Sequence, residues 1–115
     1  MSEHESKLEN AIAHKNVGEY DLAEAEFQEV LREDPKCAEA HHQLGLVYAF
    51  TGKFDESLEE LKRAVELEPQ STQYLNDLAL TYAMIGMNEE AKATFEAVLR
   101  INPDDPVAKK NLAYF

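Results

Sequence analysis

The chain has 115 residues, enough for one domain, and carries 23 acidic against 11 basic residues, a formal net charge of −12. A surface of that sign repels phosphate backbones and anionic lipids, which argues against nucleic-acid and membrane-surface partners and favours basic or apolar ones. The single cysteine, Cys37, excludes an internal disulfide, and no apolar run approaches the roughly 18 residues of a membrane span.

The N-terminal segment MSEHESKLEN lacks the apolar core of a secretory leader, so the expected location is cytoplasmic. A first helix is expected over 4–16 and a second over 20–32, with Gly18 between them. In the next stretch Leu44, Val47, Tyr48 and Thr51 follow helical spacing, and Leu58, Leu61, Ala64 and Val65 do so after Gly52. These predict helices over 38–50 and 54–66. Gly52 falls where a helix end often needs positive φ. Glu68-Pro69 then breaks the chain, as Asp34-Pro35 does before it and Asn102-Pro103 after it. Helices over 72–84 and 88–100 follow on either side of Gly86. A last one is expected over 106–115, where Asp105-Pro106 supplies an N-cap and a proline at the first helical position.

These features recur at one period. Gly18, Gly52 and Gly86 are 34 residues apart, and so are Pro35, Pro69 and Pro103. Phe27, Leu61 and Phe95 keep the interval, as do Leu31, Val65 and Leu99, the small Ala23, Ser57 and Ala91, and the series His14, Tyr48, Tyr82. Three units are expected, over 4–37, 38–71 and 72–105, with residues 106–115 forming a C-terminal capping helix or the start of a fourth unit. One helix pair cannot bury its apolar face alone, so the units must stack. Small residues such as Gly45, Ala79, Ala23 and Ala91 let helices approach, and the aromatic series fills the spaces between. Such a stack curves, and its first helices line a concave groove. Lys7, Asn10 and His14 stand where later units carry mostly apolar or aromatic residues. That suits a helix with none before it, so the stack is expected to begin here. The apolar Ala-Tyr-Phe end implies that Tyr114 and Phe115 either fold back on the stack or meet another chain.

The second unit resembles the tetratricopeptide repeat family through Leu44-Gly45, Tyr48, Gly52, Phe54 and Pro69. The third does so through Leu78-Ala79, Tyr82, Gly86, Ala91, Phe95 and Pro103. The resemblance covers residues 4–105 and implies an all-α fold: a right-handed superhelical α-solenoid of antiparallel pairs, about seven helices in all. Two departures concern packing: His41 and Leu75 stand where the family usually has Trp, and Ser57 where it has Ala.

The resemblance also implies a non-enzymatic interaction scaffold without cofactor or metal, holding a partner in its concave groove. It places Glu5, Leu8, Glu9, Ile12 and Asn16 there from the first unit. Glu39, His42, Gln43, Leu46, Ala49 and Phe50 follow from the second, and Gln73, Asn76, Asp77, Leu80, Ala83 and Met84 from the third. Chaperone-adaptor members grip a C-terminal carboxylate with cationic residues and Asn. The matching positions here include Leu8, Ile12, Gln43, Gln73 and Asp77, none of them a cation. What remains is an apolar stripe, Ile12, Leu46 and Leu80, with Phe50 and Met84 one turn further on and carboxylates beside it. These side chains either thicken the core between first helices or meet a ligand. The expected partner is an apolar, basic peptide or helix; the alternative is a structural module forming homo-oligomers through the groove or Tyr114 and Phe115. A metal reading of Cys37, His41 and His42 is weak, because adjacent helical residues diverge and one Cys with one His is half a zinc set. No glycine-rich phosphate loop or hydrolase motif is present.

Overall fold

The computed structural model describes residues 3–115, with side chains from Glu5 onward; Met1 and Ser2, ahead of the first helix, lie outside the described residues. The helices are α1 (Glu3–Asn16), α2 (Tyr20–Glu33), α3 (Ala38–Phe50), α4 (Phe54–Leu67), α5 (Thr72–Met84), α6 (Asn88–Ile101) and α7 (Pro106–Leu112). Among the described residues there is no strand. The chain is all-α: α1 packs antiparallel on α2, α3 on α4 and α5 on α6, and each pair leans on the next through α2–α3, α4–α5 and α6–α7 contacts. The radius of gyration is 14.4 Å, against about 13 Å for a compact domain of this length. The extents of 42 × 27 × 21 Å are those of a short stack.

Each turn within a pair is built the same way. Gly18, Gly52 and Gly86 have φ of 84°, 80° and 83°, a region costly for residues with a Cβ. The amide after each glycine reaches back to the carbonyl five residues earlier: Glu19 to His14 (2.9 Å), Lys53 to Tyr48 (2.8 Å) and Met87 to Tyr82 (2.9 Å). With the glycine amides bonded to Lys15, Ala49 and Ala83 carbonyls, these are Schellman ends.

Phe27, Leu61 and Phe95 are fully buried, as are Ala23, Ser57 and Ala91. The pairs close on small residues. A Cβ on Gly45 would lie 2.7 Å from Leu61 Cγ. Ser57, the departure from the family's Ala, uses its buried hydroxyl to donate to the Gly45 carbonyl at 2.7 Å. His41, in the usual Trp position, is half-buried; its Nε2 donates to the Pro35 carbonyl (2.8 Å) and its Nδ1 lies 2.7 Å from Glu60 Oε1. The polar face of α1 is used inside the first pair: Lys7 bonds Glu33 (2.7 Å) and Glu29 (3.0 Å), and His14 meets Glu26.

Asp105 caps α7 by accepting from the Ala108 amide (3.0 Å), with Pro106 at the first helical position. The same carboxylate accepts from Asn76 Nδ2 (3.1 Å), tying α7 to α5. The last helix stops at Leu112 rather than running to 115. Tyr114 and Phe115 amides bond only three residues back, to Asn111 and Leu112. This tighter turn carries the Phe115 ring to 6.5 Å from Phe95, while Tyr114 stays exposed.

Two glycine substitutions separate two kinds of constraint. Gly52→Ala has open space for its Cβ and should lose about 1 kcal/mol through φ alone. Gly45→Ala gains helix propensity but must displace Leu61, so it should still lose about 1–3 kcal/mol. Urea unfolding midpoints of the two variants measure both effects.

Candidate functional site

The first helices α1, α3 and α5 stand side by side, joined by a seam of polar side chains. Lys15 Nζ donates to Gln43 Oε1. Gln43 Nε2 donates to Glu39 Oε1 (3.0 Å), and Tyr74 OH donates to Glu39 Oε2 (3.0 Å). His42 Nε2 lies 2.6 Å from Asp77 Oδ2, and its ring stacks on Tyr74 at 4.5 Å between centroids. The seam therefore runs from α1 through α3 to α5, and Asn76 extends it to Asp105 at the cap of α7. His42 Nδ1 and Asn76 Oδ1 are buried with no partner among the described residues, so each side chain is held by one hydrogen bond.

Burial shifts two groups in this seam. Desolvation pushes the Lys15 ammonium below its usual value of 10.5, while Glu39 and Asp77 pull it the other way. The Tyr74 phenol is raised, first by desolvation and then by its hydrogen bond to the Glu39 carboxylate.

The wall residues expected from the sequence divide into three sets. His42, Gln43 and Asn76 are buried in the seam and hold helices together. Leu8, Ile12, Glu39, Leu46 and Asp77 are half-buried, Ile12 and Leu46 packing against the apolar core. Glu5, Glu9, Asn16, Phe50, Gln73, Leu80 and Met84 are exposed. Phe50 is 59% exposed, Leu80 37% and Met84 61%. Phe50 and Met84, 34 residues apart, are open to a similar degree. Phe50 meets Tyr20 ring to ring at 5.7 Å.

Two residues of the wall were not named from the sequence. Lys15 shares the 34-residue register of Ala49 and Ala83, so the period alone could have placed it there. Tyr74 occupies the register of Ala40, where nothing local signals a bond to another helix. His41 and His42 turn to different helices, toward Glu60 and Asp77. No group of three metal-binding side chains occurs among the described residues. Nor, among them, is any helix long and apolar enough to cross a membrane.

Family models described as tetratricopeptide repeat match residues 36–104 and 8–49. Solved structures share the fold. The first tetratricopeptide domain of Spaghetti (RPAP3), bound to the HSP90 peptide SRMEEVD, is 22% identical with a TM-score of 0.89, over 96% of this chain and 88% of that one. The crystal structure of MamA is 20% identical with a TM-score of 0.91, over 97% of this chain and 66% of that one. An O-GlcNAc transferase mutant from Thermobaculum terrenum is 24% identical with a TM-score of 0.83; 99% of this chain covers 23% of it. No curated protein matches the sequence.

The Tyr74–Glu39 bond has a pH signature. Tyr74 has a higher pKa in the fold than its ordinary 10.0. Above about pH 10 the folded chain therefore holds a proton the unfolded chain has released, and stability falls as pH rises. Tyr74→Phe should lose about 0.5–1.5 kcal/mol near neutral pH and show a shallower alkaline decline than the wild type. Urea midpoints at neutral and strongly alkaline pH test this; parallel declines would remove Tyr74 from the account.

Proposed function

The chain belongs to the tetratricopeptide repeat family, and we propose that it is a protein-binding scaffold that holds an apolar, basic segment of a partner along the α1–α3–α5 wall. The observation that carries this reading is the pairing of uncovered Phe50, Leu80 and Met84 with carboxylates at Glu5, Glu9, Glu39 and Asp77. Exposed apolar side chains of this kind mark interaction surfaces. Burying them supplies affinity, and the carboxylates select cationic neighbours.

The peptide named with the Spaghetti domain is acidic. The wall described above suits the opposite sign. Clamp-matching positions hold Leu8, Ile12, Gln43, Gln73 and Asp77. Lys15, which does stand on the wall, is bonded to Gln43 and sits near Glu39 and Asp77. An incoming carboxylate would have to compete with these groups for one partly desolvated ammonium.

A second copy of the chain is the alternative occupant, favoured by Tyr114 at 78% exposure beside Phe115. Light scattering during size exclusion distinguishes the two. A dimer that disappears when Tyr114 and Phe115 are deleted supports assembly; a monomer at every concentration removes it.

Leu80→Glu, at an exposed position of the wall, should sharply weaken partner retention in affinity capture from native lysate while leaving the helical circular dichroism unchanged. Glu5→Lys with Glu9→Lys should weaken retention and flatten its salt dependence. Full retention by the first variant would show that the wall is the wrong surface; full retention by the second alone would remove the basic character of the partner.

A further inference from the structure

We propose that the edge formed by the three glycine turns is a second docking surface, set apart from the wall by Val17 and Leu22 and meeting it at Phe50 and Met84, and that it takes a basic amphipathic helix of a partner protein. The proposal stands whether or not the wall binds. Antiparallel pairing brings the ends of α1, α3 and α5 and the starts of α2, α4 and α6 to one edge. Four large apolar side chains are exposed there: Val17 at 70%, Leu22 at 45%, Phe50 and Met84. Val17 and Leu22 belong to the first turn and the start of α2, away from the wall. Between this turn and the next lies an open hollow of about 410 Å³ lined by Gly18, Glu19, Tyr20, Asp21, Leu22 and Thr51.

Carboxylates border this apolar row. Glu19, Asp21, Asp55, Glu56, Glu89 and Glu90 are all exposed. None of them forms an ion pair among the described residues, whereas Glu24, Glu26, Glu29, Glu60 and Asp77 are each paired with a basic side chain. Lys53, just before α4, is turned toward Glu24 at 3.4 Å and lies over the Tyr48 ring, and Lys15, in the last turn of α1, is bonded to Gln43. Acidic residues in a first helical turn are stabilised by the helix dipole. That accounts for the carboxylates, but not for Val17, Leu22, Phe50 and Met84 standing open among them.

The two features together select the occupant. A buried apolar stripe needs an apolar stripe opposite, and six unpaired carboxylates need cations on its flanks. Neighbouring first helices lie roughly 10 Å apart. Residues seven apart on a helix are separated by about 10.5 Å. A helix with apolar residues at i, i+3, i+4 and i+7 can therefore span from Val17 and Leu22 at the first turn to Phe50 at the second, with Lys or Arg on both sides. Anionic lipids and nucleic acids are disfavoured by the same six charges.

The test is a titration of the ¹⁵N-labelled chain with two synthetic helical peptides. One carries leucines at i, i+3, i+4 and i+7 with lysines elsewhere; the other has glutamates in place of the lysines. The Leu/Lys peptide should shift the amides of Gly18, Gly52 and Gly86, and Val17→Ser with Leu22→Ser should weaken it by about ten-fold with every carboxylate kept. Unchanged affinity in that variant would reduce the effect to net charge and overturn the proposal. So would shifts confined to Leu8, Leu46 and Leu80, or equal binding of the Leu/Glu peptide. Broadening of the edge amides with protein concentration alone would assign the surface to a second copy and overturn it as well.

Discussion

The crossing of α3 over α4 sets the geometry on which the other contacts rest. Gly45 has no side chain because Leu61 occupies the space beside it, and Ser57 bonds the Gly45 carbonyl across the same gap. Backbones this close leave the larger side chains to fill the space between pairs, which is where Phe27, Leu61 and Phe95 are buried. One pair alone would leave much of that apolar surface in water. Stacking follows from this, and the first helices are thereby lined up in one wall.

The wall then divides its polar residues between structure and surface. His42, Gln43 and Asn76 are inward and bonded, and Lys15 is drawn into the same seam. Each of these side chains keeps at least one hydrogen bond, with His42 Nδ1 and Asn76 Oδ1 left unpaired among the described residues; a buried side chain without any would cost more than a typical hydrogen bond returns. Once they are committed, the exposed remainder of the wall is mostly apolar or acidic. The wall's chemistry is therefore a residue of its own construction.

The turn edge has a different origin. Its glycines end the first helices, and its carboxylates suit the starts of the second ones. Both demands are local, and both are met without Val17, Leu22, Phe50 or Met84. That these remain exposed on a chain of net charge −12 separates the edge from an ordinary solvated face. Wall and edge meet at Phe50 and Met84, at the last turns of α3 and α5.

The sequence by itself determined the all-helical class, the pairing and most helix limits. Glycines with positive φ and prolines past helix ends act through their own backbones, so their effect is visible wherever they occur. The end of α7 was not legible, because Phe115 leaves the helix for Phe95, a residue twenty positions earlier. The resemblance to the family was also enough to list candidates for the wall, and Lys15 falls in line with Ala49 and Ala83 once the period is followed. Only the tertiary structure decided which of those candidates are spent inside it. Tyr74 bonds Glu39, and His42 bonds Asp77, because α3 and α5 are brought together by stacking. Such bonds join residues 35 apart, and they depend on side-chain reach between helices, which a repeating pattern does not encode.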